Sequence, residues 1–365
     1  MTLAVDIRMF HSSGIGTYLQ NLLPALSQQV DLALIGHPPE ANLPYGRVIT
    51  TDIPIYSFAE LRKFSSLIPP CDVFWSPHYN VPLLPVRAKQ RLVTIHDVFH
   101  LAYFSTLSLK QKVYARLMFR AAVRRSASVI TVSEFSRTEI TKYLNVSPDR
   151  VHVIPNGINH ALFRVIKQED LLQQVRQQYQ LPERFILYVG NVKPHKNLLT
   201  LVKAFARLPS SDEPYHLVIV GKKEGFITGD TALHDFIQQN EMLVRRVLFT
   251  GFVEEEDLPV LYSLARLFVF PSYYEGFGLP PLEAMACGCP VLTSDRASMP
   301  EMCGEAAAYV SPDDAEAMAA RMHQLLQLSA TDRSLVVQRG LQRAASYTWE
   351  QSAHQHQRLI ERLLN

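Results

Sequence analysis

Short runs of apolar and β-branched residues occur at 3–6, 32–35, 73–75, 92–95, 129–132 and 151–154, and again at 185–189, 217–220, 247–250, 267–270 and 291–293. Each run has the length of a strand. Longer stretches with apolar residues at helical spacing, such as 18–26 and 108–125, lie between them. This alternation predicts parallel sheets covered by helices on both faces. The segment V-I-P-N-G-I-N, with Pro155 and Gly157, is turn-rich and separates the two series. The pattern therefore predicts an α/β chain of two Rossmann-like, doubly wound domains facing a central cleft, one over 1–163 and one over 164–345. A closing helix is expected within 346–365, where Trp349, Leu359, Ile360, Leu363 and Leu364 recur at helical spacing.

In a doubly wound sheet the ligand lies beyond the carboxyl ends of the strands. Gly14 and Gly16 follow the first run, His78 the third, His96 and Asp97 the fourth, and Arg137 the fifth. In the second series Asn191, Lys193, His195 and Lys196 follow 185–189, and Glu275 follows 267–270. All of these positions fall on the ligand edge.

The richest stretch is Y-Y-E-G-F-G-L-P-P-L-E-A-M-A-C-G-C-P-V, in which Glu275 and Glu283 stand eight residues apart. Gly276 and Gly278 let the loop backbone approach a ligand, while Pro280 and Pro281 suit a helix first turn. This spacing sets Glu275 on the loop and Glu283 inside the helix. One carboxylate then serves sugar hydroxyls and the other a neighbouring ring such as ribose. An isolated pair at this spacing would be two solvated glutamates; the flanking glycines, prolines and strands make this pair specific. Lys193, His195 and Lys196 supply cations for a diphosphate and for charge developing on a leaving nucleotide. The S-S-G-I-G-T-Y segment suits a phosphate or an acceptor hydroxyl, and equally a plain tight turn. A dinucleotide fingerprint would need glycine or alanine at Leu19.

Composition limits the function class. Among 365 residues, 47% are hydrophobic and 19% charged, which describes a globular protein with room for two cores. No stretch approaches the roughly 20 apolar residues of a membrane span and no signal-peptide pattern is evident, so a cytoplasmic location is expected. Cys71, Cys287, Cys289 and Cys303 read as reduced thiols, because Cys287 and Cys289 alone cannot complete a tetrahedral zinc site. No D-x-D occurs, so no metal and no other cofactor is expected. The net charge of +2 conceals +6 over residues 1–163 and −4 over 164–365. A basic first half suits an anionic partner such as phospholipid, lipid diphosphate or acidic glycan; nothing suggests nucleic acid. Lys112, Arg116, Arg120 and Arg124 recur every four residues, with Val113, Tyr114, Leu117, Met118 and Ala121 assigned to the other side. This basic stripe fits a solvated helix face or peripheral binding at the inner face of the cell membrane.

The E-x7-E block resembles that of the retaining family 4 (GT4) glycosyltransferases, which have the two-domain GT-B fold. With S-G-I-G-T-Y, T-I-H-D-V-F-H-L, T-V-S-E-F-S-R and V-I-P-N-G-I, the chain is most similar to bacterial polysaccharide and O-antigen mannosyltransferases. The resemblance implies transfer of a hexose from a nucleotide sugar to a glycan or lipid-linked acceptor, with GDP-mannose the preferred donor and UDP-glucose the first alternative. A hydrolysing UDP-sugar epimerase and a non-catalytic nucleotide-sugar binder share the fold. It further implies a catalytic set of His96, Lys196 and Glu275. His96 would face the transferred sugar, with Asp97 orienting its ring. Glu275 and the backbone of Gly276, Phe277, Gly278 and Leu279 would hold that sugar, and Glu283 the ribose. Phe252 and Val253 would line the nucleobase pocket, and Lys196 with Lys193 or His195 would meet the diphosphate. Gly14, Gly16, Asn191 and Arg137 complete the donor side, the closing helix crosses back to the first domain, and the basic stripe sits on the acceptor side. Two departures from the family pattern stand out. Ser13 and Thr17 replace the usual glycine and arginine, and Lys193 and His195 stand where glutamate and arginine are usual.

Overall fold

A computed structural model describes residues 1–12, 14–38, 46–209, 213–221 and 231–365. Ser13 therefore lies outside the described residues. The chain forms two compact units, Met1–Gly157 with Thr348–Asn365, and Ile158–Tyr347. The division falls at 157/158 and 347/348 instead of 163/164 and 345/346. Hydrogen bonding accounts for the difference: the Ile158 N–H donates to the Tyr347 carbonyl at 3.1 Å, and His160 Nε2 lies 3.1 Å from the same oxygen. Phe163 packs edge-on against Tyr262, which ties 158–163 to the second unit.

In the first unit, β1 (Thr2–Asp6), β2 (Asp31–Ile35), β3 (Arg47–Ile49), β4 (Cys71–Ser76), β5 (Ala88–Thr94), β6 (Ser128–Thr131) and β7 (Val151–Val153) form one sheet. Its order is β3-β2-β1-β4-β5-β6-β7, and every pairing is parallel. In the second, β8 (Phe185–Val189), β9 (His216–Val220), β10 (Val247–Gly251), β11 (Leu267–Phe270), β12 (Val291–Ser294) and β13 (Ala308–Val310) take the order β10-β9-β8-β11-β12-β13, again all parallel. Both sheets reverse direction of growth beside their first strand, which creates the ligand crevice of a doubly wound fold. Central strands such as Leu267–Phe270 are buried at every residue, since helices cover both faces.

Helix α1 (Ile15–Ser27) buries Tyr18, Leu19, Leu22, Leu23 and Leu26. The closing helix, Trp349–Leu364, completes the same core with Trp349, Leu359 and Ile360. One polar contact fixes its register. His356 Nδ1 lies 2.7 Å from the Ser352 carbonyl and so carries the proton, which leaves Nε2 to accept from the Tyr18 hydroxyl at 2.6 Å. Burial pushes the His356 imidazole down to about 4, because a charged ring there would have no water.

A base with a lowered folded-state pKa adds stability above its unfolded value near 6.5 and loses it as pH falls toward 4. His356→Gln keeps an acceptor for Tyr18 but cannot be protonated. Denaturant titrations should show the wild type losing on the order of 2–3 kcal/mol more than the variant between pH 6.5 and 4. Equal losses would mean that His356 has an ordinary pKa in the fold.

Candidate active site

In the second unit β8 and β11 are neighbours, so the loops leaving their carboxyl ends meet. Lys196 from the first loop donates through Nζ to Glu275 Oε1 of the second at 2.5 Å, and both side chains are mostly buried. The ammonium also lies 5.4 Å from the Phe270 ring centroid. These two candidates thus form one ion pair, in which Lys196 already carries a compensating charge. Lys193 and Asn191 are exposed at the start of the same loop. His195 differs from the expectation that it supplies charge: burial, with Lys196 and Lys193 nearby, pushes its imidazole down to about 4. At neutral pH it is a neutral hydrogen-bonding group.

The loop before α5 (Leu279–Ala286) is held by its carbonyls. Buried Ser298 lies with Oγ 3.0 Å from the Glu275 carbonyl and 2.9 Å from that of Phe277, and Ser294 Oγ donates to the Ser272 carbonyl at 2.6 Å. Asn197 donates to the carbonyls of Pro271 and Pro312 at 3.2 and 2.7 Å. Gly276 and Phe277 are buried in this loop. Gly278 has φ +93°, a conformation that favours glycine, and a Cβ there would also displace the Met299 methyl 2.2 Å away. Leu279 opens the helix with prolines in the first turn, and one turn later comes Glu283.

Glu283 is buried and accepts from the Tyr262 hydroxyl at 3.2 Å. Burial raises its carboxyl to about 8, only partly offset by Tyr262. It is thus a carboxylic acid at neutral pH until further donors reach it. After β10, Val253 is buried and Phe252 exposed. Asp257, at the start of the next helix, makes no side-chain cap and accepts from the Tyr179 hydroxyl at 2.7 Å. Cys287, Cys289 and Cys303 are buried free thiols, and among the described residues no three of His, Cys, Asp and Glu cluster to hold a metal ion.

In the first unit His96 follows β5, stands edge-on to Tyr18 with centroids 4.8 Å apart, and has Nε2 3.0 Å from the Pro77 carbonyl. Burial lowers its pKa to about 4, which leaves a neutral ring with its proton on Nε2. Asp97 does not orient this ring; it accepts from the Phe99 N–H at 2.9 Å and caps the turn that follows. The Gly16 N–H donates to the Ser12 carbonyl at 2.7 Å, so it is not a free anion donor, and the residue is glycine because a Cβ would lie 2.6 Å from the Phe10 carbonyl. Gly14 caps α1 at φ +77°. Arg137 pairs with Glu134 at 3.2 Å in a recess it shares with His152, Arg358 and Arg362.

The stripe lies on α2 (Leu109–Arg125), where a Ser108/Gln111 capping box starts the helix. The expected placement of Val113 and Leu117 on its buried side is wrong. Ala115, Met118, Phe119, Ala122 and Val123 fill that side, while Leu109, Val113 and Leu117 are 78%, 61% and 54% exposed. Arg116, Arg120 and Arg124 line an open groove of about 670 Å³ together with Val113 and Leu117, and Lys112 sits 5.5 Å from the Phe104 ring.

Sequence reasoning missed a buried charge network at the end of β1. Arg8 binds Asp6 at 2.7 Å and Glu60 at 2.6 Å, and His78 Nε2 is 3.4 Å from Asp6. Burial alone would raise the Asp6 pKa, but hydrogen bonds from Arg8, with His78 close by, hold it well below the carboxylate range. Ser298 and Tyr262 were also missed, because each acts on a residue over twenty positions away.

Two family models match the chain: Glycosyltransferase Family 4 over residues 12–162 and Glycosyl transferases group 1 over 173–339. O-antigen chain mannosyltransferase B of Escherichia coli is 34% identical over 273 residues, covering 73% of this chain and 69% of that protein. The chain is a family 4 glycosyltransferase. O-antigen chain mannosyltransferase RfbU of Salmonella typhimurium is 32% identical, with 69% of the glycosyltransferase and 64% of that relative aligned. The alignments thus span about two thirds of these relatives' own lengths. Sucrose-phosphate synthase from Thermosynechococcus elongatus superposes with a TM-score of 0.75 at 23% identity, over 100% of this chain and 99% of that one. The glycosyltransferase therefore has the two doubly wound domains of the GT-B fold.

An acid whose pKa is raised on folding adds stability below its unfolded value near 4.5 and loses it as pH rises through the folded value, about 8 for Glu283. Glu283→Gln should therefore gain in thermal midpoint over the wild type from pH 5 to about 8 and level off above it. A difference that stays constant would mean that the carboxyl is ionised throughout.

Proposed function

We propose that this glycosyltransferase moves mannose from GDP-mannose to a hydroxyl of a glycan or lipid-linked acceptor during polysaccharide synthesis, with retention of configuration and without a metal ion. The Lys196–Glu275 pair between adjacent strand ends carries the reading, because it sets a cation for the diphosphate against a carboxylate for the sugar. The mannosyltransferase names of two relatives support the choice of sugar.

The sugar C1–O bond to the β-phosphate breaks as the acceptor oxygen bonds to C1 on the same face, and the acceptor proton passes to the departing phosphate. No enzymic nucleophile is needed. Lys196, helped by Lys193, offsets charge that grows on the leaving diphosphate, which lowers the barrier more than it tightens substrate binding. His195 donates a hydrogen bond. Glu275 and the Gly276–Leu279 backbone hold the sugar hydroxyls, His96 faces the other side of the transferred sugar as a neutral ring, and Glu283 receives the ribose hydroxyls. Phe252 and Val253 flank the base; Gly14, Asn191 and Arg137 are peripheral to these steps.

The exposed aliphatic row of α2 beside its basic stripe supports docking of this domain on an anionic membrane surface, where each basic side chain contributes about 1 kcal/mol. Among the described residues no helix is long and apolar enough to cross a membrane.

Ribose hydroxyls would favour the ionised form of Glu283, so nucleotide binding at pH 7 should release a proton. Calorimetry in buffers of different ionisation heat should detect release of up to one proton in the wild type and none in Glu283→Gln. Absence of release in the wild type would remove Glu283 from the donor site.

GDP-mannose should yield an α-mannoside in the presence of chelator, with Lys196→Ala slowing turnover by at least roughly a hundredfold while the protein remains folded. Transfer from UDP-glucose alone would replace the donor, and free epimerised sugar without an acceptor would replace the reaction.

Charge reversal of Arg116 and Arg120 to Glu should abolish sedimentation with anionic vesicles, and added salt should release the wild type. A wild type that ignores such vesicles at low salt makes the stripe a solvated face.

A further inference from the structure

Beside the reactive edge, the first domain holds a cavity of about 510 Å³ lined by Tyr56, Tyr79, His100, Lys110, Gln111 and Tyr114, with Ala115 at its base. Its parts come from separate elements. Tyr79 lies three residues beyond β4 and His100 six beyond β5, so both stand on the carboxyl edge of the sheet with His78 and His96. Lys110, Gln111 and Tyr114 belong to the first turns of α2. We propose that this cavity is a carbohydrate subsite that holds a pyranose ring of the acceptor glycan, a reading that rests on the glycosyl transfer proposed above.

The walls are held by packing and hydrogen bonds. Tyr79 stacks on buried Phe119 with centroids 4.2 Å apart and planes 19° from parallel. The Tyr114 hydroxyl donates to Asn80 Oδ1, and Asn80 Nδ2 is buried without a partner among the described residues. Tyr56 meets Tyr114 edge-on at 5.7 Å, yet its side of the cavity is open and the residue is 55% exposed. Its backbone is in the left-handed region at φ +66°, an unfavourable conformation for tyrosine. The strain is held from below. The Tyr56 N–H donates to Glu60 Oε2 at 2.8 Å, while the other oxygen of Glu60 binds Arg8 of the Asp6 network. Glu60 also opens a π-helix, Glu60–Phe64, a rare form that recurs at functional sites. A buried charge network, a π-helix and a strained residue thus combine to present one exposed aromatic ring.

The lining selects the ligand class. Ring faces suit the C–H face of a sugar, and the phenol, amide, imidazole and ammonium groups at the rim suit its hydroxyls. A purely apolar ligand would desolvate that rim without replacing its hydrogen bonds. A polyanion would meet a single lysine, Lys110. A growing glycan needs such a subsite next to its reacting residue, since the terminal sugar alone does not distinguish a polymer from a free monosaccharide.

The test uses the full chain with an α-linked mannotriose glycoside as acceptor. Tyr56→Ala should raise the acceptor KM roughly tenfold with kcat, donor KM and thermal midpoint little changed, while Tyr56→Phe retains most of the affinity. Lys110→Ala, at an exposed position, should raise the acceptor KM roughly threefold and provides a second readout if Tyr56→Ala is poorly folded. Saturation-transfer NMR should detect the mannotriose on the wild type without donor and lose it with Tyr56→Ala. Transfer with an unchanged acceptor KM in folded Tyr56→Ala and in Lys110→Ala overturns the subsite and leaves the function standing. Tyr56-dependent binding by a wild type that transfers no sugar leaves the subsite standing and overturns the function.

Discussion

Parallel pairing of every strand is the constraint on which the rest depends. Parallel sheets are covered on both faces, so their faces are closed to ligands and the strand ends alone are available. The strands share one direction, so all carboxyl ends, and the loops leaving them, emerge on one edge. Lys196 and Glu275 are 79 residues apart in sequence, yet neighbouring strands bring their side chains into contact. Reversing the order of β8 and β9 would separate them without changing a residue.

The second unit then invests its polar side chains in holding carbonyls. Ser294, Ser298 and Asn197 grip the backbone of the loop before α5, and Gly278 lets it pass against Met299. A loop fixed in this way presents its N–H groups and Glu275 without rearrangement, which is what electrostatic stabilisation of a transition state requires. Charge is arranged with similar economy. His195 and Glu283 are kept neutral by burial, so Lys196 and Lys193 supply the positive charge beside Glu275 in the second unit. Glu275 tempers that field by sharing Lys196; in the function proposed above, a sugar whose hydroxyls occupied Glu275 would free part of the lysine's charge for a diphosphate.

Most strands were legible in the sequence because a strand buried on both faces leaves an unbroken apolar run, as Leu267–Phe270 does. Two of the three short edge strands were not: Arg47–Ile49 and Ala308–Val310 lie in no apolar run that stands out, and the former is exposed at Arg47 and Val48, whereas Val151–Val153 runs on into buried Ile154 and was legible. The E-x7-E block and the lysine loop were legible because glycines, prolines and strands bracket them. Their surroundings were not: Ser298, Tyr262, Arg8 and Glu60 act through contacts of long sequence separation, and each alone reads as an ordinary surface or core residue. The protonation of Glu283 and His195 was equally hidden, since it follows from burial that only the folded chain creates.

Helix α2 shows where periodicity misleads. A period of 3.6 assigns every apolar residue to one side, yet this helix has more of them than its buried side can take. Ala115, Met118, Phe119, Ala122 and Val123 complete the packing against the sheet. Leu109, Val113 and Leu117 form a second row, and Val113 and Leu117 each follow a member of the basic row of Lys112, Arg116, Arg120 and Arg124 by one position, about 100° around the axis. Water is a poor environment for the aliphatic row and a good one for the basic row. A lipid interface suits both, because aliphatic side chains enter the acyl boundary while long basic ones reach the phosphates. The same helix lends its first turns to the tyrosine cavity, so a glycan still attached to lipid would have its sugars and its anchor served by one rigid element.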